Sequence, residues 1–101
     1  MSFYVKQKTD KEMGKTRVVL TDVLHRDGKY TRFTVKDSGK SIAYVRRNRD
    51  GKYEVWAGWP FLDEIGSRTR KDAAINLAKE SVLNLYPNAE FKLNAVSERV
   101  R

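Results

Sequence analysis

β-branched and aromatic residues dominate two neighbouring stretches of the chain, Arg17-Val18-Val19-Leu20-Thr21-Asp22-Val23-Leu24 and Tyr30-Thr31-Arg32-Phe33-Thr34-Val35. Both read as strands, because such side chains fit a pleated, half-buried surface. A short helix over 17–25 competes for the first stretch, and the turn that follows argues against it. That turn belongs to a pentapeptide that occurs twice, Arg26-Asp27-Gly28-Lys29-Tyr30 and Arg49-Asp50-Gly51-Lys52-Tyr53. Asp-Gly favours a two-residue hairpin turn, where the backbone needs positive φ. With Asp27-Gly28 as the loop, Leu24 faces Thr31 and Leu20 faces Val35. Leu20, Leu24, Phe33 and Val35 then share one side, with His25, Tyr30 and Arg32 on the other.

The second copy joins Ile42-Ala43-Tyr44-Val45-Arg46-Arg47 to Tyr53-Glu54-Val55-Trp56-Ala57. Pairing about Asp50-Gly51 sets Arg47 opposite Glu54 and Val45 opposite Trp56. Ile42, Tyr44, Tyr53 and Val55 then face the core, and Arg47 faces solvent. Asp37-Ser38-Gly39 links the two hairpins. Phe3 to Gln7 alternates and predicts a further strand, and Thr9 to Lys15 predicts a loop. Pro60 opposes a central strand, so Gly58 to Gly66 reads as a loop whose Trp59 and Phe61 fold back on the core.

A helix is predicted over 69–86. Ala74, Leu77, Ala78, Ser81, Val82 and Leu85 recur at the spacing of one helical face. Leu77 and Leu85 should be buried on it. Thr69 is the expected cap, with Asp72 three residues on, and Pro87-Asn88 ends the helix. Phe91, Leu93 and Ala95 suggest a last strand, and Ser97 to Arg101 a frayed tail. The expected fold is one α+β domain over 1–101. An antiparallel sheet of about five or six strands, built from hairpins, carries one long helix and a short C-terminal strand.

Charge adds a direction. The chain has 21 Lys and Arg against 13 Asp and Glu, a formal net charge of +8. Residues 1–59 hold fourteen basic and seven acidic residues, whereas residues 60–101 hold seven and six. A basic field over one region attracts polyanions. There is no cysteine and one histidine, His25. Disulfides, thiolate metal sites and His-based zinc sites therefore lack their ligands. No phosphate-binding Gly-rich motif is present. Asp63-Glu64 reads as a solvated loop, and nothing local supplies a serine to His25. These observations point away from an enzyme, a cofactor or a metal. No apolar run reaches the length of a membrane span, and the first residues lack the apolar stretch of a secretory signal. A cytoplasmic protein is expected.

Two basic groupings are candidate contacts. Arg46, Arg47, Arg49 and Lys52 crowd the second hairpin, and Arg26, Lys29 and Arg32 its counterpart. Arg68, Arg70 and Lys71 surround the helix start, where backbone N–H groups can also hold an anion. Solvated strand ends explain such charges equally well.

Asn48-Arg49-Asp50-Gly51-Lys52-Tyr53-Glu54-Val55-Trp56, followed by Ser67-Arg68-Thr69-Arg70-Lys71-Asp72-Ala73, resembles the small N-terminal DNA-binding domain of phage and transposon integrases. The similarity spans about residues 42–79. It implies a three-stranded sheet with a packed helix, the sheet entering the major groove. It also implies DNA contacts from Arg47, Arg49 and Lys52, and from Arg70 and Lys71. The family's third strand would fall on the Trp59-Pro60 segment, which reads here as a loop.

The expectation is a small, non-enzymatic nucleic-acid-binding protein of phage or mobile-element type, binding DNA in preference to RNA. Its candidate contacts are Arg47, Arg49, Lys52, Arg26, Lys29, Arg32, Arg70 and Lys71. Two alternatives stay open. One is an interaction protein, a host-directed inhibitor docking on an acidic protein surface. The other is a binder of small anionic nucleotides.

Overall fold

The computed structural model describes residues 15–100. The strand expected at Phe3–Gln7 and nearly all of the loop expected before Lys15 lie outside them. Among the described residues, seven strands and one helix follow in the order β1 (Thr16–His25), β2 (Gly28–Val35), β3 (Ser41–Arg47), β4 (Tyr53–Ala57), β5 (Asp63–Arg68), α1 (Lys71–Leu85), β6 (Ala89–Leu93) and β7 (Glu98–Arg99). The strands form one mostly antiparallel sheet in the spatial order β5-β4-β3-β2-β1-β6, with β7 continuing beside β1. The fold is α+β, as expected.

Both hairpins form, and their registers differ from the expected ones. In the first, His25 pairs with Gly28, Leu24 with Lys29 and Leu20 with Phe33. The loop is Arg26-Asp27, one residue earlier than expected. This moves the register by two, so every side chain keeps its expected face. In the second, Arg47 pairs with Tyr53, Arg46 with Glu54, Val45 with Val55 and Tyr44 with Trp56. This register is off by one, so β4 keeps its expected face, with Val55 and Tyr53 toward the core, whereas Tyr44 and Val45 of β3 exchange sides. Val45 and Val55 are buried, whereas Tyr44 lies with Arg46, Glu54 and Trp56 on the opposite side. The cause is Asn48. Its Oδ1 accepts the Asp50 N–H at 2.9 Å and the Lys52 N–H at 3.0 Å, and its backbone N–H donates to the Lys52 carbonyl at 2.8 Å. The side chain closes a longer loop than the two-residue turn. Gly28 and Gly51 both adopt positive φ, 138° and 82°, as the turn reading requires.

The core lies between the sheet and α1. Val18, Leu20, Phe33, Val35, Ile42, Ala43, Val45, Val55 and Ala57 meet Ala74, Ala78 and Val82. Two alanines on the helix face let its backbone approach the sheet closely. Phe91 from β6 closes the far side, edge-on to Phe33 with ring centroids 6.2 Å apart. The buried helix face is narrower than expected. Leu77 is partly buried against the core, but Leu85 is 47% exposed. It stands in the last turn, where Tyr86 packs against the core instead.

Other expectations are corrected. Residue Thr69 is not the helix cap: Arg70 takes that position without a side-chain cap bond, and Asp72 Oδ1 accepts the Ala73 N–H. Residues 63–66, expected in a loop, belong with Ser67 and Arg68 to β5, which pairs with β4 just past the turn at Pro60. Trp59 and Phe61 do not fold back on the core. They are 49% and 79% exposed, and Lys40 Nζ lies 4.8 Å from the Trp59 ring centroid. The last strands run parallel to β1: β6 beside Thr16–Leu20 and β7 beside Val23–Leu24. Residues 98–100 are therefore held by the sheet rather than frayed, with the Val100 N–H donating to the Leu24 carbonyl.

Phe33→Ala should destabilise the protein by roughly 3–5 kcal/mol, because it empties a fully enclosed site. Leu85→Ala should change stability by no more than about 0.5 kcal/mol. Urea unfolding of both variants measures the contrast. Asn48→Ala should cost about 1 kcal/mol, since it removes the acceptor for two loop N–H groups.

Candidate nucleic-acid interface

Alternating strand directions gather the basic residues. β1, β3 and β5 run one way, and β2 and β4 return. The Arg26-Asp27 turn, the Asn48–Lys52 loop and the β5–α1 junction therefore occupy the same end of the sheet. That end carries Arg26, Lys29, Arg47, Arg49, Lys52, Arg68, Arg70 and Lys71. Seven of these eight are the contacts expected from the sequence. Two basic groupings, the hairpin ends and the helix start, become one region.

Within it the sheet extends past the helix start and leaves a groove of about 500 Å³. Lys29, Arg47, Arg49 and Lys71 line it, with Asp22, Thr31 and Tyr53 on its walls. Four cations face one carboxylate. Asp22 accepts the Thr31 hydroxyl at 2.8 Å and lies 3.8 Å from Lys71 Nζ. Among the described residues, Lys29, Arg47 and Arg49 have no carboxylate at ion-pair distance. Arg26 and Lys52 are exposed on the turns beside the groove. Arg70 turns to Asp72 at 3.0 Å and does not line the groove.

The remaining expected contact, Arg32, is placed differently. It projects from the middle of β2 on the face away from the helix, paired with Glu98 of β7. That face also carries Tyr30, Tyr44 and Trp56. Tyr44 and Trp56 stack with planes 5° apart, and Tyr30 meets Tyr44 edge-on. Burial pushes the Tyr44 phenol above its ordinary pKa.

Arg46 was expected among the hairpin cations, and its partner was missed. Its guanidinium donates to Glu54 Oε1 at 2.8 Å, and the Trp56 indole N–H donates to the same oxygen at 3.2 Å. Asn48 Nδ2 donates to the other carboxylate oxygen at 3.3 Å. The Arg46 bond, then the indole bond, hold Glu54 below the usual carboxylate pKa, and the Glu54 bond raises Arg46. Arg46 is thereby spent on the sheet, whereas Arg47, one residue on, points into the groove region. The loop length at Asn48 was the signal that could have found this pairing.

Among the described residues no cluster of metal-ligating side chains occurs, and no helix is long and apolar enough to cross a membrane. Compared with protein-family models, curated proteins and solved structures, the chain matches none.

Because Glu54 is depressed in the folded state, its contribution to stability is present above the ordinary carboxylate pKa. It is lost as pH falls through the lower folded value. Solvent screening of the half-exposed Arg46 limits this to about 1 kcal/mol or less. Glu54→Gln should therefore lower stability at pH 7 and narrow its gap to the parent protein below about pH 4. Thermal unfolding at both pH values checks this.

Proposed function

We infer that the chain is a small, non-enzymatic nucleic-acid-binding protein that grips phosphates with the cations at one end of its sheet. The observation that carries this reading is the convergence of Lys29, Arg47, Arg49 and Lys71 on one groove, flanked by Arg26 and Lys52. Such a concentration of positive charge, in which Lys29, Arg47 and Arg49 have no carboxylate at ion-pair distance among the described residues, releases counterions when it meets a polyphosphate. DNA is favoured over RNA by the integrase resemblance. In its support, β3, β4 and β5 are three successive antiparallel strands followed directly by a packed helix. A phage or mobile-element role and a cytoplasmic setting belong to the same proposal.

Docking on an acidic protein surface fits less well. Protein interfaces place aromatic anchors at the centre of the patch. Here the exposed Trp59 and Phe61 occupy the β4–β5 turn, at the end of the sheet opposite the cations.

The protein should bind labelled DNA in fluorescence-anisotropy titrations, with affinity falling steeply as salt rises. Replacing Arg47 and Arg49 together by alanine should weaken binding on all sequences about equally. It should also lower the slope of log K against log salt by about 2, one unit per lost phosphate contact. Absence of association at low salt would remove the reading.

A further inference from the structure

We propose that the groove at the basic end recognises a phosphomonoester, the terminal phosphate of a nucleic-acid strand or of a nucleotide. This rests on the nucleic-acid reading and names the group bound.

Shape is the first argument. The groove volume of about 500 Å³ lies in the range of pockets that enclose a small molecule, about 300–1,000 Å³. A duplex presents its phosphates along a convex surface. A concave site of this size suits one nucleotide unit entering end-on.

Charge is the second. The four cations come from three separate parts of the chain: Lys29 from β2, Arg47 and Arg49 from the β3–β4 hairpin, and Lys71 from α1. A backbone diester carries a single negative charge. A monoester carries about −1.5 to −2 at pH 7 and three free oxygens, which several converging donors can share. Asp22 leaves a formal excess of three positive charges in the groove. Its carboxylate lies beside Lys71 and is held by Thr31, so it positions that ammonium at the wall. Tyr53 offers a ring to the attached sugar or base.

The test compares single-stranded oligonucleotides of one sequence bearing a 5′-phosphate, a 3′-phosphate or hydroxyl ends, titrated at moderate salt. One phosphorylated end should bind at least about tenfold tighter. That preference should shrink below about pH 6, where the monoester gains a proton. Arg47→Gln and Lys71→Gln should each abolish the preference, and Arg17→Ala, outside the groove, should keep it. Cooperative unfolding of each variant verifies its fold. Competition by adenosine monophosphate identifies free nucleotides as ligands, and competition by phosphorylated strands alone identifies strand ends; either outcome sustains the proposal. Equal affinity for phosphorylated and hydroxyl ends overturns it and leaves the nucleic-acid reading intact. So does a preference retained in both groove variants. If no strand binds even at low salt, the nucleic-acid reading fails, and calorimetric titration with adenosine monophosphate then decides the pocket: heat of binding supports it and silence overturns it.

Discussion

Side chains along a β-strand alternate between two faces, so the register of each strand pair decides what every residue on it touches. Among the described residues, one face meets a helix and the other meets none. A slip of one residue in β3 against β4 would bring Tyr44 under α1 beside Val55 and expel Val45 to the side of Trp56. The Asn48 side chain prevents that slip by accepting two loop N–H groups and lengthening the turn. A single amide thus settles which side of the second hairpin forms core. It also settles which arginine pairs with Glu54 and which is left to the groove.

The long first strand imposes a second requirement. Backbone N–H and C=O groups in a sheet interior need partners. β2 supplies them along one edge of β1, and the end of the chain supplies them along the other, β6 first and β7 after it. To reach that edge from β5, the chain must cross the whole sheet, and α1 makes the crossing over the apolar face. The helix therefore begins at the end of the sheet where the hairpin turns lie. This is why Lys71 stands among cations that precede it by more than twenty residues.

Electrostatics separates the two faces of the sheet in kind. On the face away from α1 the arginines are consumed: Arg46 by Glu54 and Arg32 by Glu98. At the basic end, most of the charge finds no partner among the described residues. Leaving like charges close together costs stability, so the arrangement is readily explained by a ligand that supplies the missing negative charge. The aromatic ladder of Tyr30, Tyr44 and Trp56 needs no such explanation, since its rings pack on one another.

Much of this was legible in the sequence, for local reasons. β-branched runs bracketed by Asp-Gly predict hairpins, and apolar residues at helical spacing predict α1. The basic excess of the first part of the chain underlies the proposal of an anionic partner. The first hairpin kept its expected faces because an error of two leaves alternation unchanged. In the second, an error of one reversed β3 against β4, and the decisive Asn48 bonds form only once the loop is closed. β5 was hidden because Pro60 precedes it and its residues, Asp63 to Arg68, carry little apolar signal; pairing with β4 makes it a strand. The parallel docking of β6 and β7 on β1 joins residues more than seventy positions apart, as no local pattern can specify. The groove has the same origin. Its cations were each visible as charges, but only strand directions and the helix crossing bring Lys29, Arg47, Arg49 and Lys71 to one place.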